Sequence, residues 1–157
     1  MAISKNLDLD KVIKLFIKDS LFLKDYESTD KIIKGEKHDY NLAKKVSSEI
    51  SKAVKILLSS EEGLIKFIKL LDDNNIAISA SAAEYLYPLY PQKSLEILKQ
   101  YSKSLKNKLD SYKVDTKIES LNQKQAFFMD GFKKIYNCDD LDSLNREHNI
   151  WIDDLGL

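Results

Sequence analysis

Residues 59–106 carry the pattern that most restricts how this chain can fold. An apolar stretch ends in the leucine pair at 70–71, a polar turn of sequence Asp-Asp-Asn-Asn follows at 72–75, and an alanine-rich stretch is centred on 82–83. Pro91, a residue suited to the first turn of a helix, then opens a further apolar-periodic stretch. This order predicts stacked antiparallel helical hairpins. Such architectures offer a broad side-chain surface, so the pattern favours binding over catalysis.

The remainder of the chain also favours helices. Four glycines and two prolines in 157 residues leave few turns, and no stretch sustains the period-two alternation of a half-buried strand. We therefore predict an all-α fold of about six to eight helices, with residues 1–157 in one domain. Residues 8–106 would form the hairpin part, and residues 107–157 the C-terminal helices with an acidic end.

Individual helices are predicted from apolar residues spaced three and four apart. The stripes lie within residues 9–23, 42–57, 64–71, 76–87, 95–109 and 118–135. Helix starts are predicted at Asp8 or Asp10, at a Ser59 and Glu62 capping box, at Pro91, and at a Thr116 and Glu119 capping box.

Charge and composition limit the classes of partner. The 25 basic and 25 acidic residues cancel, and Arg146 is the sole arginine, whereas bidentate phosphate and base recognition relies mostly on arginine. Direct nucleic-acid binding is therefore disfavoured. The N-terminus lacks the pattern of a signal peptide and no segment reaches the roughly 20 apolar residues of a membrane span. Together with the single Cys138, this predicts a cytoplasmic protein without membrane contact.

No motif of a catalytic, cofactor or metal site is present. His38 and His148 are more than a hundred residues apart, and Cys138 has neither a histidine nor a second cysteine near it in the sequence. The polar turn at 72–75 lacks the glycine and the distal glutamate of a calcium loop. We predict that the chain is not an enzyme and binds no cofactor or metal.

Two groups of residues are candidates for contact with a protein partner. The first is a set of tyrosines around the junction of two predicted helices, namely Tyr85, Tyr87, Tyr90 and Tyr101. Tyrosine gives a large contact area at small entropic cost. The alternative is that half of these rings belong to the core, with their hydroxyls at its rim.

The second group lies in the acidic C-terminal segment and comprises Asp139, Asp140, Asp142, Trp151, Asp153 and Asp154. A carboxylate-rich surface with an aromatic anchor could imitate nucleic acid and block a basic active site, with electrostatically steered association. The alternative is a solvated acidic tail whose tryptophan docks on the protein's own core.

The hairpin at residues 70–86 resembles a HEAT-like repeat, in which a leucine pair, an acidic turn and a Val-Arg-x-x-Ala-Ala-x-x-Leu helix recur. Ile78 takes the valine position, and Ala82, Ala83 and Leu86 match the motif. Ser79 replaces the usual arginine, so the Asp and Arg ladder between repeats is absent.

Residues 8–106 as a whole look like a small bacterial family of uncharacterised HEAT-like domains, with Asn41 and Pro91 at matching places. The resemblance implies a short right-handed α-solenoid. Members of this family look like the immunity half of toxin and immunity pairs, including contact-dependent growth inhibition systems.

The resemblance thus implies a cytoplasmic immunity protein that binds one cognate toxin domain, often a nuclease, one-to-one and occludes its active site. An adaptor or scaffold with a cellular protein partner is the alternative. An enzyme whose site is built from unremarkable residues is a third possibility.

Overall fold

The computed structural model of the protein describes residues 8–28, 40–127 and 141–155. These residues form seven α-helices and one 3-10 segment and contain no strand. The helices are α1 (Leu9–Tyr26), α2 (Tyr40–Leu58), α3 (Glu61–Ile68), the 3-10 segment Lys69–Asp72, α4 (Ile76–Leu86), α5 (Pro91–Ser104), α6 (Lys108–Phe127) and α7 (Leu141–Leu155). The prediction of an all-α fold with six to eight helices is confirmed.

Three helix starts lie where the sequence places them. Asp8 caps α1, since its carboxylate accepts from the backbone N–H of Asp10 at 3.0 Å. Pro91 stands at the start of α5. In the polar turn before α4, the Asn75 side chain accepts from the Ala77 N–H at 3.0 Å. The first turn of a helix leaves backbone N–H groups without partners. The Asp8 and Asn75 side chains accept from such groups, and Pro91 has no N–H to satisfy.

The capping box predicted at Ser59 is wrong by one residue. The Ser59 hydroxyl donates to the Ile56 carbonyl at 2.6 Å and so belongs to the end of α2. Ser60 has extended backbone and accepts from the Gly63 N–H at 3.1 Å, which makes it the cap of α3. Only Ser59 and Ser60 separate α2 from α3.

The boundary between α5 and α6 also differs from the prediction. The stripe predicted to run on to Leu109 breaks after Ser104, and Asn107 caps α6 by accepting from the Leu109 N–H at 2.8 Å. Thr116 therefore lies inside α6, where its hydroxyl donates to the Tyr112 carbonyl at 2.9 Å. A threonine and a glutamate three apart do not start a helix that an asparagine has already begun.

Helix α4 lies at the centre of the fold. Every residue from Ile78 to Pro88 is buried, because α1, α3, α5 and α7 all pack against this helix. Its run of alanines and serines leaves room for close approach of the neighbouring helices. From α1 to α6, helices adjacent in sequence pack together, as hairpins do, and α7 packs against α2 and α4.

The contacts of α7 close the core around α4, whereas in an extended solenoid each unit contacts only its neighbours. The HEAT-like character of the hairpins stays a prediction. In the described ranges we find no helix with the length and hydropathy that crossing a bilayer requires.

Candidate functional site

A buried carboxylate on the central helix organises the most polar part of the interior. Glu84 is 8% exposed, and its Oε1 lies 3.1 Å from the Lys24 Nζ of α1 and 3.3 Å from the Lys117 Nζ of α6. The three residues thus tie α1, α4 and α6 together through one ion-paired cluster, which we call the Glu84 triad.

The two lysines keep Glu84 ionised. Burial acts to raise the pKa of the Glu84 carboxyl, but the charges of Lys117 and Lys24 outweigh burial and hold this pKa below its ordinary value. Burial likewise acts to lower the pKa of Lys24. The negative charges of Glu84 and Glu27 outweigh this effect of burial, so the pKa of Lys24 is raised above its ordinary value. Glu84 and Lys24 therefore stay ionised as a pair throughout the physiological pH range.

An open cleft of about 680 Å³ lies above the triad, between the C-terminal end of α1 and helices α5 and α6. Its volume is in the range of pockets that take small ligands or single side chains. Its lining is charged, with the Glu84 triad joined by Asp25, Glu27, Asp110 and Lys113, and the rings of Tyr26 and Tyr101 form apolar parts of the wall.

Tyr101 contributes its ring to the cleft. The Lys24 Nζ lies 5.3 Å from the centre of this ring, a distance at which the ammonium and the π face attract each other. Burial raises the pKa of the Tyr101 hydroxyl to about 12, with Glu84 and Glu27 adding to the effect. The phenol therefore stays protonated and can act as a hydrogen-bond donor.

Helix α7 docks through Trp151 and His148, which share one face of the helix. The Trp151 indole N–H donates to the Glu84 carbonyl at 2.8 Å, and the His148 Nε2 lies 2.6 Å from the Tyr85 carbonyl. Both side chains are almost completely buried, and the Trp151 ring stacks on Tyr87 with centroids 6.0 Å apart. Trp151 is thus a core residue, in agreement with the alternative in which it docks on its own protein, and it is not an exposed anchor.

Most of the tyrosines considered as partner contacts are core residues as well. Tyr85, Tyr87 and Tyr101 are all less than 9% exposed, and the Tyr87 hydroxyl donates to the Asn122 side chain. Tyr90, at the start of α5, is 40% exposed and is the one member of the set available at the surface. Packing around α4 explains this, because the neighbouring helices cover every residue of α4 from Ile78 onward.

The structure describes only some of the acidic residues of the C-terminal segment. Asp153 and Asp154 are exposed on α7, and each meets a lysine: Asp153 lies 2.6 Å from Lys55, and Asp154 lies 3.6 Å from Lys124. Their charges are partly neutralised, which weakens an acidic surface built on them. Asp142 lies in α7, but its side chain is outside the described residues, as are Asp139, Asp140, Cys138 and His38.

The Glu84 triad is not among the sites predicted from the sequence. The available signal was a single glutamate inside an apolar run, between Ala83 and Tyr85, since a charge there must be paired to be buried. Its partners could not be found by spacing, because Lys24 lies 60 residues before it and Lys117 lies 33 residues after it. Among the described residues, no group of three or more His, Cys, Asp or Glu side chains is arranged to hold a metal ion.

In comparisons with known proteins, no family model, curated protein or solved structure matches this chain significantly.

Proposed function

We propose that this protein acts by binding one protein partner, and that it is the immunity protein of a secreted toxin domain, occluding that domain's active site. The observation that supports binding is a surface formed by α1 and the mouth of the cleft. Leu15, Leu21 and Phe22 are each more than a third exposed on α1. Leu15, Phe22 and Tyr26 are spaced seven and four residues apart and so share one face of the helix, which we call the α1 surface, whereas Leu21 lies about 100° further round the helix.

The α1 surface is continuous with the charged cleft. Phe22 stacks on Tyr26, with ring centroids 6.5 Å apart and planes 16° from parallel, and Tyr26 itself lines the cleft. Large apolar side chains beside charged groups are typical of the centre and the rim of a protein interface. The preformed stack lowers the entropy that these rings would lose on binding.

The state of the cleft supports binding over catalysis. A general base needs a pKa near the working pH, whereas the lysines hold the pKa of Glu84 below its ordinary value. Burial also keeps the Tyr101 phenol protonated. These groups are suited to orient a partner's polar atoms through fixed charges and hydrogen bonds.

The toxin as partner is supported by the resemblance of residues 8–106 to HEAT-like immunity proteins. The test is growth of cells that express the C-terminal domain of the neighbouring reading frame, with and without this protein, followed by co-purification. Rescue together with a one-to-one complex is expected. A toxic domain that is neither bound nor neutralised would remove the immunity function, and a stable complex with a cellular protein instead would favour the adaptor.

Two matched variants test the α1 surface in the same assay. Phe22→Ser should abolish rescue and complex formation, because it removes the stacked ring at the mouth of the cleft. Ile65→Ser, on α3, serves as control: Ile65 is 50% exposed, and the adjacent Lys66 contacts Asp10 at the opposite end of α1. If Phe22→Ser and Ile65→Ser reduced rescue and complex formation equally, the α1 surface would not be the surface that contacts the partner.

A further inference from the structure

A small polar cavity lies beneath the Glu84 triad, where α1, α2 and α4 meet. Its volume is about 90 Å³, and each of these three helices contributes one serine to its wall: Ser20, Ser47 and Ser81. All three serines are less than 5% exposed. The cavity shares Lys24, Glu27, Glu84 and Lys117 with the cleft above it.

Ser20 gives the cavity an unsatisfied group. Its Oγ is buried and meets no hydrogen-bond partner among the described residues. A buried hydroxyl without a partner is unfavourable, and most such groups in folded proteins are satisfied by protein atoms or by ordered water. Since Ser20 lines the cavity, the missing partner has room to lie there.

The size and the chemistry of the cavity fit water. One water takes up about 30 Å³ in the liquid, so the volume corresponds to about three molecules, and a buried water needs two to four polar partners. Serine hydroxyls and the Glu84 carboxylate supply both donors and acceptors. A charged ligand is disfavoured, because the formal charges of the two lysines and two glutamates in the lining, Lys24, Lys117, Glu27 and Glu84, already cancel.

We propose that this cavity is a built water site, in which a small cluster of ordered waters hydrogen-bonds to the Ser20 hydroxyl and links it to Ser47, Ser81 and the Glu84 carboxylate. The waters stabilise the ionised carboxylate on the side that faces the core. They also explain why three serines lie at the junction of three helices, where alanine or valine would fill the same place in an apolar core.

The first test is a crystal structure of the full chain at about 1.5 Å resolution, at which a buried water is visible in the density. Density for at least one water within hydrogen-bond distance of the Ser20 Oγ is expected. A cavity without density, or one filled by a side chain or an ion, would overturn the proposal.

The second test uses the thermal stability of two serine variants. Ser94 is a matched control, because its hydroxyl is also fully buried and meets no partner in the part of the chain that the structure describes, yet it lines neither the cleft nor the cavity. If water satisfies Ser20, Ser20→Ala should lower the Tm by about 2–4 °C, whereas Ser94→Ala should leave the Tm unchanged or raise it. A Tm that rises in Ser20→Ala would show that its hydroxyl has no partner in the folded protein and would overturn the water site.

Discussion

The indole N–H of Trp151 donates a 2.8 Å hydrogen bond to the backbone carbonyl of Glu84, in the last turn of α4. Within a helix this carbonyl would accept from the residue four positions later, but that residue is Pro88, which has no N–H. The next carbonyl, of Tyr85, is open as well, because the Leu89 N–H donates to Leu86 at 3.0 Å. Helix α7 therefore supplies, through Trp151 and His148, the donors that the proline turn cannot give.

Replacement of the tryptophan tests this relationship. Trp151→Phe keeps an aromatic ring but leaves the Glu84 carbonyl buried without a donor and opens space beside Tyr87. We expect a loss of about 2–4 kcal/mol in the free energy of unfolding, measured by urea denaturation.

A double-mutant cycle with Pro88→Ala separates the hydrogen bond from the packing. Alanine at position 88 restores an N–H that can reach the Glu84 carbonyl. In a protein that carries Pro88→Ala, Trp151→Phe should therefore lower the free energy of unfolding by less than it does in the unchanged protein. The same loss in both backgrounds would mean that packing alone explains the effect.

His148 should make stability depend on acid pH. Burial lowers the pKa of this imidazole from 6.5 to about 4. Below pH 6.5 the unfolded chain binds a proton that the folded protein does not, so this contribution to stability is complete above pH 6.5 and is lost as the pH falls towards 4. The change is on the order of 3 kcal/mol. Urea denaturation of the protein and of His148→Gln between pH 7.5 and 4.5 should converge at the acid end, and parallel curves would contradict the assignment.

Asp19 should make stability depend on pH in the opposite sense to His148. This carboxyl is 4% exposed at the contact of α1 with α2, and burial together with the neighbouring Glu49 raises its pKa from 3.8 to about 6. The folded protein then binds the proton more tightly than the unfolded chain, so stability is greatest below pH 3.8 and is lost as the pH rises through 6. Asp19→Asn should therefore stabilise the protein at pH 7.5 by about 1–3 kcal/mol and have little effect at pH 4.

A control of opposite sign is Asp10→Asn. The Lys66 ammonium, 3.0 Å away, lowers the pKa of Asp10, so removal of the Asp10 carboxylate should slightly destabilise the protein at pH 7.5.

Because the pH ranges over which His148 and Asp19 change stability overlap, the pH profile of the stability of the unchanged protein should be flatter than that of either single variant. Stabilisation by Asp19→Asn that is equal at both pH values would contradict the titration.

Removal of the Glu84 charge should be strongly destabilising. Glu84→Gln leaves the half-buried Lys24 and its neighbour Lys117 facing each other without the buried carboxylate, and removal of one member of a buried ion pair costs about 3 kcal/mol. Asp153→Asn, which breaks the exposed pair with Lys55, should change the urea midpoint little. Similar midpoints for the two variants would show that the triad is not a structural element.

Gly63 should tolerate no side chain. A Cβ at this position would lie 2.2 Å from the Leu57 carbonyl oxygen, so Gly63→Ala must displace the backbone between α2 and α3. A loss of about 1–3 kcal/mol is expected from urea denaturation. Glu62→Ala, one residue earlier and exposed, is the control and should have little effect.

Local sequence signals determined the helices and several of their ends. Asp8 and Pro91 mark helix starts through groups that act within one turn. The polar turn before α4 occupies residues 73–75, one residue later than predicted, because Asp72 still belongs to the 3-10 segment. The end of α5 was missed because the apolar spacing continues to Leu109, whereas the cap at Asn107 interrupts the helix. The spacing of apolar residues indicates a face but not where the backbone hydrogen bonds stop.

What only the tertiary structure decided is which polar and aromatic side chains are buried. The sequence alone allowed both an exposed and a buried Trp151, because an amphipathic helix such as α7 has no preferred partner until the rest of the chain provides one. The carbonyls left open by Pro88 provide that partner, 67 residues away from Trp151 in the sequence. Glu84 likewise became the centre of an ion-paired cluster only through Lys24 and Lys117 on other helices. Helix formation depends on neighbours within a few residues, whereas the pairing of buried charges and donors depends on how the helices assemble.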